Sequence, residues 1–284
     1  MSPTMAAVRA GLRRGFIELR QSLTNAGDLW NYLFWPVVIL VVMYFLRGIT
    51  VPGTDSSLSS MTIPSVLGMQ LAFGGLLSVA AILLTEREDG TLLRAKAIPN
   101  GMLGYLVGKT VHLSGMTLVS LAIILVPGAF LFGGLQLASP APWLALIWVV
   151  ALGLVATIPM GAVFGSLFTS PRSIGFMFLP MAGLVAISGI FYPITSFPMW
   201  MQWLAQLFPI YWLGLGMRSA LLPVSLVNVE IGDSWRHLET LGVLGIWAIA
   251  GLVLAPIVLR RMARRESGSS VAERREKAMK QQWT

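Results

Sequence analysis

The sequence predicts an all-α, polytopic membrane protein: six transmembrane helices, an N-terminal interfacial amphipathic helix, and an external re-entrant helical hairpin between helices five and six. Three observations predict it. Of the 284 residues, 56% are hydrophobic and only 11% charged, with a mean hydropathy of +0.76, whereas a soluble domain carries roughly a quarter charged residues. Six apolar stretches approach the ~20 residues a helix needs to cross the hydrocarbon core. The charges gather at the chain ends and in one internal segment, beside the apolar runs, as an anionic inner leaflet favours.

Residues 1–28 precede the first span. Val8, Leu12, Phe16, Leu19 and Leu23 fall on one helical stripe, with Arg9, Arg13, Arg14 and Arg20 off it. That pattern predicts a helix lying along the membrane surface; the alternative is a disordered basic leader. No small-residue cleavage site follows the first apolar run, so this segment does not read as a cleavable signal.

The membrane domain is predicted over 29–260, with spans near 29–46, 63–85, 105–132, 143–168, 173–192 and 241–259. Lipid offers no hydrogen bonds, so each span must be helical. Pro127, Pro159, Pro180 and Pro256 lie within spans, where kinks are expected.

The twenty basic residues set the orientation. Arg9, Arg13, Arg14 and Arg20, then Arg87, Arg94, Lys96 and Lys109, then Arg172, fall on one side. Arg260, Arg261, Arg264, Arg265, Arg274, Arg275, Lys277 and Lys280 join them in the basic tail, 261–284. Only Arg218 and Arg236 lie opposite, with Arg47 at a boundary. The positive-inside rule then places both termini in the cytoplasm. Residues 190–215 are apolar enough to suggest a seventh span, but that crossing would put the basic tail outside. Pro198 and Pro209 bracket a helix of about ten residues, roughly 15 Å long. Gln202 and Gln206 share its polar face, while Trp200 and Trp203 suit an interface. The segment reads as a re-entrant pair of short helices, or alternatively as one amphipathic helix lying flat outside.

The chemistry that is missing narrows the function. There is no cysteine, so disulfides, thiolate chemistry and the usual zinc sites are excluded. None of the twelve acids lies inside a predicted span, and His112 and His237 fall near span ends. A proton-coupled pump needs titratable groups at membrane depth. No nucleophile–base arrangement for hydrolysis is evident, so an enzyme is not expected, and no metal site is. Gly104-Tyr-Leu-Val-Gly-Lys109-Thr110 approaches a phosphate-binding loop, but Leu103 occupies the first required glycine position. Lys109 reads instead as snorkelling to the inner interface. Placement of the charges also argues against nucleic acid.

Between the second and third spans, the segment 86–100 is the only substantial charged connector. Glu86, Arg87, Glu88 and Asp89 open it, Gly90 and Thr91 follow, and Pro99 ends it. With Leu92, Leu93 and Ile98, it is suited to docking another protein. The run Thr85-Glu-Arg-Glu-Asp-Gly-Thr-Leu-Leu-Arg94 resembles the coupling loop of ABC-2 type transporter permeases. Ser188-Gly-Ile-Phe-Tyr-Pro-Ile-Thr-Ser-Phe-Pro-Met-Trp-Met-Gln-Trp-Leu204, then Phe208-Pro-Ile-Tyr-Trp212 and Met217-Arg218, resembles their external signature.

That resemblance implies the membrane subunit of an exporter in a bacterial plasma membrane, working as a homodimer or with a related permease. A separate ATP-binding-cassette subunit would carry ATP and magnesium, and this chain would bind no cofactor. Glu86 is implied as the first contact with that ATPase, with Arg87, Glu88, Asp89, Gly90 and Thr91 beside it. Phe191, Tyr192, Pro193, Pro198, Trp200, Trp203 and Pro209 would form the external gate. The cavity, between spans two and five, would use Met69, Phe73, Phe176, Met177, Phe178 and Met181. The expected cargo is an amphipathic drug, antibiotic or lipid-like molecule. A polysaccharide exporter permease is the nearest alternative, and an ion-coupled carrier or channel the alternative from another class. Gly161 and Gly165 form a small-xxx-small motif for helix packing.

Overall fold

The computed structural model describes residues 2–48, 58–132, 134–168 and 173–265. Arg172 and residues 266–284 of the basic tail lie outside them. Among the described residues every regular element is helical. The ten α-helices are α1 (Pro3–Thr24), α2 (Ala26–Phe45), α3 (Leu58–Glu88), α4 (Thr91–Lys96), α5 (Gly101–Phe132), α6 (Pro140–Ser166), α7 (Ile174–Ile187), α8 (Met199–Leu207), α9 (Pro209–Leu221) and α10 (His237–Arg265).

Local chemistry sets the first boundaries. Ser2 caps α1, its Oγ accepting from Met5 N at 3.3 Å. Asn25 separates α1 from α2 and caps the latter, its Oδ1 accepting from Gly27 N at 2.9 Å and Asp28 N at 3.2 Å. Such caps satisfy amide donors that the first helical turn leaves open. Helices α5, α6, α7 and α10 continue through Pro127, Pro159, Pro180 and Pro256.

Among the described residues five helices are long and apolar enough to cross a bilayer: α2, α3, α5, α6 and α10. The predicted fifth span, 173–192, differs. Its helix α7 has 14 residues, about 21 Å at 1.5 Å per residue. It stops because Ser188 Oγ donates to Val185 O at 2.8 Å and Gly189 turns the chain with φ of +71°. Glycine reaches that left-handed region without strain. Two short helices follow, and α9 runs to Leu221, beyond the predicted end at 215.

Helix α3 is the hub, packing against α5, α6, α7 and α9. Ile63, Leu67 and Leu71 from α3 join Val149 of α6 and Tyr211 and Leu213 of α9 in the core. Small residues permit the closest approaches. A Cβ on Gly68 would lie 2.6 Å from Gly214 Cα, and one on Gly165 would lie 2.7 Å from Ala80 Cα. Gly161 abuts the Gly75 and Leu76 carbonyls, so both glycines of α6 face α3 within the same chain.

Helix α1 docks on α5 through a face that its apolar stripe does not reveal. Gly11 and Gly15 are buried against Gly104 and Gly108, the glycines of the near-miss phosphate loop. Leu12, Phe16 and Leu23 of the stripe remain exposed, while Leu19 packs against Gly115 of α5. A Cβ on Gly15 would lie 2.5 Å from Gly108 O and 2.8 Å from Val111 Cβ. Gly15→Leu is therefore expected to lift α1 from α5 at a cost of about 1–3 kcal/mol. Limited trypsin digestion at Arg13, Arg14 and Arg20 measures it. Gly242→Ala, at a position with open space around it, should leave the cleavage rate unchanged.

Candidate coupling site and substrate cavity

At the α4 end of the bundle, charges alternate across three helices. Arg14 Nε donates to Glu18 Oε1 at 2.7 Å within α1. Lys109 Nζ, from α5, donates to Glu18 Oε2 and to Glu86 Oε1, each at 2.6 Å. Glu86 lies in the last turn of α3, where the charged connector begins. The order Arg14, Glu18, Lys109, Glu86 is positive, negative, positive, negative, so the row is neutral and each carboxylate meets a cation. Burial opposes the charge on Glu18, but the hydrogen bonds from Lys109 and Arg14 outweigh it and hold its carboxyl below the usual range. His112 extends the cluster, its Nε2 lying 3.1 Å from Ser22 Oγ.

This arrangement corrects one sequence expectation. Lys109 does not snorkel; its side chain is 12% exposed and held between two carboxylates. Glu86 is turned inward, with its side chain 16% exposed. The rest of the connector divides by face. Arg87 Nη1 donates to Phe168 O at 2.9 Å, tying the end of α3 to the chain after α6. Glu88 is half-buried and Asp89 exposed. Gly90 takes φ of 74° and starts α4. Thr91 Oγ1 accepts from Arg94 Nη2 at 3.0 Å. Leu92 and Ala95 pack inward while Ile98 is exposed. Leu92 therefore anchors α4 to the bundle instead of offering itself for docking.

A cavity of about 860 Å³ lies between α2, α3, α5 and α7. Three predicted residues line it: Met69, Phe73 and Phe178, the two phenyl rings meeting edge to face at 6.1 Å. Three do not. Met177 and Met181 point into the core, and Phe176 faces outward, 76% exposed. Phe191 lines one end of the cavity. Sequence reasoning missed Tyr32 and Trp35 of α2, Gln70 and Ser78 of α3, and Thr117 and Ser120 of α5. Gln70, an amide within an apolar run, was the readable signal.

At the opposite end of α3, Tyr192, Trp200 and Trp203 are exposed, while Pro193 and Pro198 precede a 3-10 turn and α8. Pro209 is buried at the start of α9. Arg218 and Arg236, the basic residues that the charge count sets on the opposite side, have internal partners. Arg218 Nε donates to Glu230 Oε1 at 2.6 Å, and its Nη2 to Oε2 at 3.2 Å. Its Nη1 donates to Ser65 Oγ at 2.9 Å and Gly189 O at 3.2 Å. Arg236 Nη1 donates to Gln206 Oε1 at 2.7 Å, and its guanidinium lies 4.7 Å from the centre of the Trp212 ring.

Long apolar helices around a cavity, with a charged connector clamped at one end, mark a multi-pass membrane protein. The family model described as ABC-2 family transporter protein matches residues 42–257, and the chain belongs to that family. Comparison with curated proteins finds no match.

Proposed function

We propose that this chain is the permease subunit of an ATP-driven exporter. A separate ATP-binding-cassette subunit hydrolyses ATP with magnesium, and two permease copies, identical or related, enclose the path. The cargo is an amphipathic drug, antibiotic or lipid-like molecule moved out of a bacterial cell across the plasma membrane. In this reading both termini are cytoplasmic, α7 is the fifth of six crossings, and α8 with α9 re-enters the outer leaflet as the gate. The 261–284 segment stays inside as the basic tail.

The observation that carries the proposal is the double contact of Lys109. It joins Glu86, at the start of the connector, to Glu18 of α1. Helices α3 and α5, which bear Glu86 and Lys109, also wall the cavity. A partner that displaces the connector therefore moves cavity walls through rigid helices. Asp89, Arg94 and Ile98 supply the outward face for that partner, and Glu86 transmits from within. An ion-coupled carrier is less well supported, because the described residues lining the cavity include no ionisable carboxylate, histidine, lysine or arginine.

Vesicles containing this chain and its cognate ATPase subunit are expected to transport an amphipathic dye with ATP, and vanadate should stop them. Glu86→Ala should lower transport at least tenfold while hydrolysis continues. Transport of the same size in vesicles lacking any ATPase would overturn the proposal.

A further inference from the structure

The cavity walls are chemically unequal. Gln70, Gly74 and Ser78 follow one another at i, i+4 and i+8, so they share one face of α3. Thr117 and Ser120 of α5 line the same space. Gly74 leaves room for the hydroxyl of Thr117, whose Oγ1 would lie 2.6 Å from a Cβ placed there. Trp35 of α2 and Phe178 of α7 supply apolar wall, with Phe73 and Met69 beside them.

Hydroxyls in apolar helices ordinarily donate to a carbonyl three or four residues back. Thr85, Thr157, Ser166, Ser188 and Ser219 all do so here. Among the described residues, Thr117, Ser120 and Gln70 make no such side-chain bond, and they face the cavity. They also sit deep. Gln70 is sixteen residues from Glu86, and Thr117 is sixteen from Gly101, each about 24 Å along its helix at 1.5 Å per residue. Polar groups without partners at such depth are costly unless something hydrogen-bonds to them.

We propose that Gln70, Thr117 and Ser120 form a hydrogen-bonding subsite that selects cargo bearing an uncharged hydroxyl or amide group on an otherwise apolar body. This rests on the cavity being the cargo site. The amide of Gln70 both donates and accepts, and each hydroxyl does the same, so the subsite suits alcohols and amides equally. Among the described residues no lining side chain carries a charge, so an organic anion would enter without a counterion and an organic cation would have only the aromatic faces to offset its lost hydration. The aromatic wall takes up the apolar body.

The test uses the full chain in nanodiscs and four pyrene probes of matched size: a butanamide, a butyltrimethylammonium, a butanesulfonate and plain butylpyrene. Binding is followed by energy transfer from Trp35, isolated by subtracting the Trp35→Phe signal. The amide is expected to bind at least tenfold more tightly than either charged probe and about fivefold more tightly than butylpyrene, the weight of roughly one hydrogen bond. Gln70→Leu combined with Thr117→Val should erase the preference over butylpyrene without weakening butylpyrene itself. Charged probes that bind as well as the amide, or a preference that survives the double substitution, would overturn the subsite. Phe73→Ala with Phe178→Ala should weaken all four probes. If it weakens none, the cavity is not the cargo site and the broader reading fails with the subsite.

Discussion

Arg218→Met is expected to destabilise the protein by about 3–5 kcal/mol, the usual cost of stranding one member of a buried ion pair. Arg218 and Glu230 are each 5% exposed, so water can replace little of what the substitution removes. Methionine fills much of the volume but accepts none of the four roles of the guanidinium. The Glu230 carboxylate, the Ser65 hydroxyl and the Gly189 carbonyl would lose their partner together. Thermal unfolding in nanodiscs measures the loss. Adding Glu230→Gln to Arg218→Met removes the uncompensated charge and is expected to restore more than half of the stability. If single and double variants unfold alike, the cost lies in packing and the ion pair contributes little. Ser65→Ala alone should cost less, about 1.5–3 kcal/mol, one acceptor lost from a charged donor. These groups come from α9, the segment after it, α3 and the turn after α7. The pair therefore holds one end of the bundle as a unit, and its loss should loosen all four together.

Residues that the sequence displays as runs or motifs were legible; residues that act through distant partners were not. The apolar runs of α2, α3, α5, α6 and α10 announce their helices because lipid and a crowded bundle both reward uninterrupted apolar helix. The charged run from Thr85 and the aromatic, proline-rich run from Ser188 carried the family. Helix α7 was over-read: 173–192 is apolar throughout, and only Ser188 and Gly189 signal the early stop. Glycine at a helix end is a recognised terminator, so that boundary was available and the hydropathy masked it. In α1 the large residues announce a stripe for the membrane surface, but the face that packs on α5 is formed by Gly11 and Gly15, because close helix approach favours what a hydropathy stripe ignores. Charge partners are harder still. Glu18 meets Lys109 from 91 positions away, and Arg218 meets Ser65 from 153. Periodicity assigns a residue to a face of its own helix and says nothing of the helix opposite.

Lys109→Met is expected to separate α1 from the rest of the bundle and to abolish coupled transport. The substitution leaves Glu18 and Glu86 facing each other with no cation between them. Lys109, Glu18 and Glu86 side chains are 12%, 20% and 16% exposed, so water relieves part of the strain. The stability loss should then be about 2–3 kcal/mol, below the cost for a fully buried pair. Lys109→Arg should fall between, because a planar fork suits two oxygens of one carboxylate better than two carboxylates on different helices. A pH titration distinguishes lost charge from lost packing. The Glu18 carboxyl is held below its ordinary value of 4.5. Its contribution to docking is therefore complete above that value and is lost as pH falls through its depressed folded value. Without Lys109, burial opposes the charge with only Arg14 to offset it, so the folded value rises and α1 should release at higher pH. The distance between spin labels placed on α1 and α5, followed against pH, reads this directly. An unmoved midpoint would mean that Lys109 only fills space. A raised midpoint, with hydrolysis intact and transport lost, would assign the transmission of force to the alternating charges themselves.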